Sequence, residues 1–388
     1  MKFLNKFSLI AILLIQAFPH WAADKDVKQD IGNIDSNMAV QKSQDTGLVW
    51  HSPAEQPFKL AGFAWFNQDK VYRRLPLKPS SPLPTPVDIL ADHTSCGQIK
   101  FKTDSSRIVI NVKLNKNTGG MYHMAGTGQS GFDLYIGKPG KQKYYSTVMF
   151  IAGSKEYQSK LFNRKDGIMR EFTLNFPLYS GVKEVLIGLD AGAKIEAPSP
   201  YCIDKTIVIY GGSTIQGACA SRPGACHMNI ISRQLNMQVI NLGFSGNGKL
   251  EPELGRIMAE ITNPAIYIIE CERNSKYKLL SERMEDFIKI LRQKHAEVPI
   301  MILTANPRGN ESLEIDNSGR LKNWQFMHDL VEKIRKDGDN NIYFVDGSKM
   351  LGDDFYECSV DGSHPSDLGF YRMAQGMIPV LKEILKLK

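Results

Sequence analysis

The hydrophobic pattern divides the chain into two regions of different texture. From about residue 46 to 195, short runs rich in β-branched and aromatic residues are separated by Gly, Asn, Pro and Ser. The runs with this character are 107–114, 132–137, 143–151, 170–177 and 184–190. Short strands at such spacing, without a helical stripe, predict an all-β sandwich of jelly-roll-like type. The proline-rich tract 78–88 predicts a loop, because proline interrupts strand ladders.

Beyond the linker-like segment 196–202, continuous apolar runs alternate with helical stripes. The apolar runs are 206–212, 238–243, 265–271, 299–306 and 341–347. The helical stripes are 227–235, 253–261, 281–295, 323–336 and about 366–387. Continuous apolar strands are typical of a parallel sheet that is buried on both faces. The pattern therefore predicts a three-layer α/β domain with a five-stranded parallel sheet, whose functional residues collect at the carboxyl ends of the strands.

The N-terminus predicts an export signal. Lys2 and Lys6 precede an apolar run over 7–18, and the small residues Ala22 and Ala23 follow it. The run is too short for an ordinary spanning helix, although an uncleaved anchor remains the alternative. We expect an exported protein, periplasmic or extracellular, with no membrane span in the mature chain. The predicted divisions are a signal peptide (1–23), a flexible segment (24–45), a β-sandwich accessory domain (46–197) and an α/β domain (198–388).

The charge balance gives little indication of a polyanionic partner. The formal net charge is +7, and subtracting the two lysines of the predicted leader leaves +5. No dense Lys/Arg block with interleaved aromatic residues is present, so we do not expect nucleic acid binding.

Six cysteines follow the leader, and an exported protein can oxidise them. Their spacing leaves a Cys219–Cys358 bridge, a Cys219–Cys226 bridge and buried free thiols all open. The sequence has no C-x-x-C pair and no His/Cys cluster with zinc spacing. We therefore predict neither a metal site nor a cofactor.

Three residues suggest nucleophilic catalysis. Ser213 directly follows the apolar run 206–212, and Asp361 stands three residues before His364. A serine hydroxyl needs a base to remove its proton, a histidine supplies that base near neutral pH, and a carboxylate orients the histidine. The alternatives are that Ser213 caps a helix and that Asp361 only shapes a turn.

Four segments in order resemble the blocks of the SGNH (GDSL-type) hydrolase superfamily over residues 203–388. They are YGGSTIQG, NLGFSGNG, ECERN and DGSHP, and the motif GFDLY at 131–135 resembles the GxDLY sandwich that precedes such domains in Bacteroidetes-like proteins. The resemblance implies an SGNH/flavodoxin-like fold with Ser213, Asp361 and His364 as catalytic residues. It implies an oxyanion hole of Ser213, Gly243 and Asn274. One departure is Glu270, which stands where relatives often carry Asp.

Other residues are weaker candidates. Glu272 and Arg273 precede Asn274 and are candidate substrate contacts, with a solvated ion pair as the alternative. His123 is a candidate for the border of the site, with a packed or surface role as the alternative. Asp133 and Tyr135 are expected to serve the structure of the sandwich.

These observations predict an exported serine esterase that hydrolyses short acyl esters through an acyl-enzyme. That the esters are acetyl groups on carbohydrate is implied by analogy, from the accessory sandwich and the export pattern. The expected partner is a small-molecule or glycan ester. The alternative from another class is an exported carbohydrate-binding protein with a vestigial hydrolase domain. Oligomeric state, and whether the sandwich binds sugar, stay open.

Overall fold

The computed structural model describes residues 35–36, 39–40, 46–313 and 318–387. The described residues from 46 onward belong to one compact unit. The predicted signal peptide at 1–23 lies outside the described residues, as does most of the predicted segment 24–45. No helix in the described part of the chain is long and apolar enough to span a membrane.

Two antiparallel sheets form the predicted sandwich. Their strands are β1 (Leu48–His51), β2 (Lys59–Ala61), β3 (Gln98–Thr103), β4 (Arg107–Leu114), β5 (Asp133–Ile136), β6 (Lys143–Thr147), β7 (Glu156–Asn163), β8 (Arg170–Asn175), β9 (Val182–Asp190) and β10 (Ile195–Glu196). One sheet has the strand order β1-β9-β4-β7, and the other has the order β10-β3-β8-β5-β6 with β2 paired to β3. Phe101, Ile110 and Leu174, all fully buried, belong to the core that the two sheets share. Burial of these apolar side chains between the two sheets stabilises the sandwich.

Three short helices interrupt the predicted all-β region: α1 (Phe66–Asp69), α2 (Thr85–Ala91) and α3 (Gly126–Ser130). The predicted loop over 78–88 is therefore wrong at its end, because α2 begins inside it. The proline in the first turn of α2 lies at a helical position that tolerates proline, since no N–H is needed there.

The second region contains the predicted parallel sheet. Its strands are β11 (Thr206–Gly211), β12 (Gln238–Gly243), β13 (Pro264–Glu270), β14 (Ile300–Leu303) and β15 (Ile342–Val345). Their order in the sheet is β12-β11-β13-β14-β15. Its helices are α4 (Ser213–Gln216), α5 (His227–Leu235), α6 (Pro252–Ala259), α7 (Glu272–Lys294), α8 (Ser318–Lys336) and α9 (Asp367–Ile384). Short 3₁₀ helices lie at Pro223–Ala225, Gly309–Leu313, Gly347–Lys349 and Phe355–Cys358.

Helices cover both faces of this sheet. Ile207 and Ile209 pack into one apolar cluster with residues of α5 and α9. Val208 and Tyr210, which alternate with them along β11, pack into a second cluster with residues of α6, α7 and α8. Because successive side chains of a strand point to opposite faces, a strand between two helical layers must be apolar throughout. The continuous apolar runs predicted this three-layer arrangement correctly.

Helix α7 begins at Glu272, earlier than the predicted stripe over 281–295. Its first turns are polar and carry no apolar periodicity, and the backbone at Lys276 departs from helical geometry with φ of 50°. The hydrophobic pattern therefore could not locate this start. The early start matters because it places the segment after β13 beside Ser213.

The GFDLY motif joins the sandwich to the α/β region. The buried Asp133 carboxylate accepts hydrogen bonds from Gly224 N at 2.7 Å and from Asn175 Nδ2 at 2.7 Å. The Tyr135 hydroxyl donates to Gly224 O at 3.2 Å. These residues therefore do more than the predicted service to the sandwich, since they hold the segment that follows α4.

Candidate active site

Glycines place Ser213 at the carboxyl edge of the sheet, directly after β11. A Cβ on Gly211 would lie 2.4 Å from Glu270 O, and one on Gly212 would lie 2.4 Å from Asn274 Nδ2. Gly217 ends α4 with φ of 98°, a conformation that glycine adopts without strain. The pattern G-G-S-x-x-x-G thus permits a tight turn from strand to helix, with the Ser213 side chain on that turn.

Ser213, His364 and Asp361 form a continuous hydrogen-bonded chain. Ser213 Oγ lies 2.8 Å from His364 Nε2, and His364 Nδ1 lies 2.8 Å from Asp361 Oδ2. The other Asp361 oxygen accepts the backbone N–H groups of His364 at 2.7 Å and Ser363 at 3.0 Å. The spacing of three residues therefore brings the carboxylate to its neighbouring imidazole, as the sequence predicted.

Asp361 is held in its ionised form. Partial burial by itself raises the pKa of this carboxyl, but the hydrogen bonds from the backbone and ring of His364 and from Ser363 outweigh it and lower the pKa to about 2. The side chains of His364 and Asp361 are 23 % and 14 % exposed, so the pair is shielded while the site stays open. A fixed anion on Nδ1 favours the tautomer whose Nε2 can accept a proton.

The loop that carries the pair is anchored on both sides. Val360 N donates to His364 O at 2.9 Å, and Ser366 N donates to Cys358 O at 2.8 Å. The Ser366 side chain caps α9 by accepting from Gly369 N. Gly362 supplies the positive φ of 78° that the turn between Asp361 and His364 requires.

The Ser213 end of this series of hydrogen bonds opens into a cleft of about 340 Å³. It is lined by Gly212, Ser213, Thr214, Ser245, Gly246, Glu270, Cys271, Arg273, Asn274, Arg308, Ser363 and His364. The Asn274 side-chain amide donates one N–H to Asn247 O, and an amide carries two. Asn274 therefore lies in the same cleft as Ser213 and has a second N–H that can donate; its role as an oxyanion donor stays a prediction.

Gly243 does not reach the cleft. Its N–H donates to Asn241 Oδ1 at 2.8 Å, and a Cβ there would lie 2.4 Å from Gln216 N. It is therefore a buried packing glycine whose N–H is already engaged, which contradicts its predicted place in an oxyanion hole. Gly246 is the glycine of the same NLGFSGNG segment that lines the cleft, with φ of 69°. The signal was present in the sequence as the glycine after Ser245.

The weaker candidates separate in the same way. Glu272 is 3 % exposed, accepts Ala305 N at 2.8 Å and does not line the cleft, so its predicted substrate contact is wrong. Arg273 lines the cleft and donates to Asn306 O, and its contact with substrate stays a prediction. His123 packs its ring edge to face with that of His364, with centroids 5.4 Å apart. The sandwich thus reaches the catalytic histidine candidate from outside the cleft.

Glu270 is a cleft residue for which the sequence suggested no chemistry. It is 6 % exposed, and its Oε1 is buried without a hydrogen-bond partner. Burial raises the pKa of its carboxyl to about 8, with Arg273 opposing and Glu272 adding to the shift. A neutral carboxyl therefore lies at the end of β13, close to the candidate nucleophile.

All six cysteines are free thiols, and five of them are buried. Neither the Cys219–Cys226 nor the Cys219–Cys358 bridge is formed. The sulfurs of Cys96 and Cys226 lie 4.0 Å apart, across the boundary between the sandwich and the α/β region.

The fold and this edge of the sheet define a three-layer α/β domain of the SGNH type that follows a β-sandwich. Residues 204–382 match the GDSL-like lipase/acylhydrolase family, and residues 48–195 match the N-terminus of the SGNH-hydrolase-type esterases. A structure from Bacteroides ovatus described as a GDSL-like lipase is 31 % identical, with a TM-score of 0.79 over 88 % of this chain and 99 % of that one. The chain therefore belongs to the GDSL-like lipase/acylhydrolase family.

Two more distant structures share the fold. The salicylyl-acyltransferase SsfX3 of a tetracycline biosynthetic pathway is 17 % identical, with a TM-score of 0.70 over 89 % of this chain and 100 % of that one. A family two carbohydrate esterase from Cellvibrio japonicus is 12 % identical, with a TM-score of 0.59 over 88 % of this chain and 98 % of that one. A comparison with curated proteins finds no match.

Proposed function

We propose that this chain is an exported serine esterase that removes short acyl groups, in particular acetyl groups, from carbohydrate through an acyl-enzyme. The observation that carries the proposal is the hydrogen-bonded chain from Ser213 through His364 to Asp361 at the mouth of a small cleft. The family is one of acylhydrolases. Because Ser213, His364 and Asp361 are all present and hydrogen-bonded, the alternative of a binding protein with a vestigial hydrolase domain is disfavoured.

In the first half-reaction Ser213 Oγ attacks the ester carbonyl carbon and passes its proton to His364 Nε2. The imidazolium that forms is stabilised by the ionised Asp361 on Nδ1. Collapse of the tetrahedral intermediate breaks the bond to the alcohol oxygen, which takes the proton from Nε2. A water molecule then attacks the acyl-serine carbonyl carbon and passes a proton to His364 Nε2. The bond between the acyl carbon and Ser213 Oγ breaks, Ser213 Oγ takes the proton from Nε2, and the carboxylic acid leaves.

The oxyanion needs donors on the side of the cleft opposite His364. We assign the backbone N–H of Ser213, the backbone N–H of Gly246 and the side-chain amide of Asn274. Ser213 begins α4, where the first N–H groups have no partner within the helix. Loss of one such donor typically lowers kcat by about 10² to 10³.

The cleft supports a short acyl chain, because about 340 Å³ must hold the acyl group and part of the alcohol. Two arginines, Glu270 and several hydroxyls place polar groups in its lining, and such groups can bind the hydroxyls of a hydroxylated alcohol. The carbohydrate assignment also draws on the fold shared with the carbohydrate esterase of Cellvibrio japonicus. Export draws on the N-terminal pattern of the sequence.

The test compares the chain with Ser213→Ala on p-nitrophenyl acetate, butyrate and octanoate, and on acetylated glycans. The matched control is Ser245→Ala, because Ser245 lines the same cleft but makes no hydrogen bond to His364. We expect acetate to be the best ester, Ser213→Ala to lose turnover and the control to keep it. Turnover that survives in Ser213→Ala would exclude the mechanism. Glycan binding without turnover in both proteins would favour the binding-protein alternative. Fractionation of cells tests export.

A further inference from the structure

Four side chains that can bind a metal ion converge beside the proposed catalytic residues. His123, Cys219, Asp361 and His364 each offer one ligand atom, and among the described residues these atoms all lie within 4.8 Å of one another. They come from the sandwich, from the segment after α4 and from the loop before α9. No local spacing in the sequence could reveal such a set.

The chemistry of the set fits zinc. Two imidazoles, one thiol and one carboxylate are nitrogen, sulfur and oxygen donors, which Zn²⁺ accepts in tetrahedral sites with bonds of about 2.0–2.3 Å. Mg²⁺ and Ca²⁺ prefer oxygen donors throughout. Ligands of a tetrahedral zinc lie about 3.3–3.8 Å apart, so the four atoms need only a small inward movement.

Two members of the set have features that the proposed esterase reaction does not use. His123 has a buried Nδ1 without a hydrogen-bond partner. Cys219 is a free thiol, 5 % exposed, at a left-handed φ of 74° that side chains other than glycine rarely adopt.

We propose that Zn²⁺ binds His123, Cys219, Asp361 and His364 and thereby switches off the esterase. The binding site stands on this geometry alone, whereas the loss of activity also rests on the proposed function.

The inhibition follows from the two nitrogens of His364. Asp361 lies on the Nδ1 side of the ring, so a cation that takes the carboxylate takes Nδ1 as well. The neutral imidazole must then carry its proton on Nε2, where it can no longer accept the proton of Ser213. His364 exchanges one proton between its nitrogens through solvent, Cys219 releases its thiol proton to water, and no group is oxidised or reduced.

The experiment titrates the full chain, stripped of metal with a chelator, with zinc chloride. Calorimetry measures stoichiometry, and hydrolysis of p-nitrophenyl acetate is followed in parallel, with magnesium chloride as the control. We expect one zinc ion per chain, loss of turnover in proportion to occupancy, recovery with EDTA and no effect of magnesium. Cobalt substitution gives a readout independent of catalysis, because a cysteine-to-cobalt charge-transfer band appears only when sulfur is a ligand. The site is overturned if zinc does not bind stoichiometrically.

Variants separate this site from adventitious binding. Cys219→Ala and His123→Gln are each expected to weaken zinc binding at least tenfold, and Cys219→Ala to lose the cobalt band. Cys358→Ala, which removes another buried free thiol, is expected to bind as the unmodified chain does. Inhibition is expressed relative to the metal-free rate of each protein. Unchanged zinc affinity in both Cys219→Ala and His123→Gln overturns the site. If the chain has no esterase activity, binding and the cobalt band still decide the proposal.

Discussion

Glu270→Gln tests whether the carboxyl at the end of β13 is neutral in the folded protein. Glu270 is 6 % exposed, and burial raises its pKa from 4.5 to about 8. At neutral pH the folded chain therefore carries this side chain mainly as the uncharged acid. Glutamine has nearly the same shape as that acid and cannot ionise.

Proton linkage gives the direction in which the free energy of unfolding changes with pH. Between pH 4.5 and about 8 the unfolded chain has released the Glu270 proton while the folded chain retains it. Because the folded state then binds more protons, the free energy of unfolding falls as pH rises through this window. A shift of this size corresponds to an upper bound of about 5 kcal/mol, reached at and above about pH 8. Glu270→Gln has no carboxyl to titrate and does not lose this free energy of unfolding. Its stability relative to that of the unmodified chain therefore rises with pH.

The assay is urea unfolding of the unmodified chain and Glu270→Gln at several pH values from about 5 to about 9. The control is Glu253→Gln, which removes a partly exposed carboxyl on α6. We expect the stability difference for Glu270→Gln to open by a few kcal/mol across this range and the difference for the control to stay nearly constant. Parallel stability curves for Glu270→Gln would refute the reasoning and would mean that Arg273 keeps Glu270 ionised.

Three further predictions concern stability and catalysis. Arg74→Met should lower the free energy of unfolding by several kcal/mol, because the buried guanidinium donates to four backbone carbonyls and each unpaired group costs about 1–3 kcal/mol; an unchanged urea midpoint would contradict this. Asn274→Ala should lower kcat on the acetate ester by about 10² to 10³ with little change in KM. Gly212→Ala, whose Cβ would lie 2.4 Å from Asn274 Nδ2, should lower kcat as well, and retention of kcat in both variants would exclude the assigned donor. His227 stacks on Phe370 with centroids 5.3 Å apart, and burial lowers its pKa from 6.5 to about 3. Because only the unfolded chain gains that proton, stability falls as pH drops from 6.5 towards 3. In thermal unfolding, His227→Phe should therefore lose less stability on acidification than the unmodified chain. Equal losses in the two proteins would contradict a buried, neutral His227.

The α/β region could be predicted because its signals are local. Each strand of the parallel sheet is a continuous apolar run, and a strand between two helical layers has no exposed face on which to place polar residues. The start of α7 escaped prediction because its first turns are polar and are held by contacts with the segment after β14, such as the hydrogen bond that Ala305 N donates to the Glu272 carboxylate.

In the candidate site, too, local spacing predicts some residues and only tertiary contacts place the others. Asp361 and His364 share one loop, and their pairing could be predicted from their spacing. Ser213 could be predicted as the nucleophile because it follows a buried strand and two glycines. Gly243 and Gly246 cannot be told apart by sequence position, since the choice depends on which N–H another side chain engages.

By itself, the sequence determined the three-layer α/β domain, the sandwich and the candidate residues for nucleophilic catalysis, because apolar period and short spacing are properties of neighbouring residues. Only the tertiary structure decided that Glu272 turns away from the cleft, that Glu270 lies in it without a partner, and that His123 and Cys219 meet the Asp361–His364 pair. These positions depend on contacts between segments far apart in the chain, and the free energy of such contacts comes from packing and desolvation that no local pattern records.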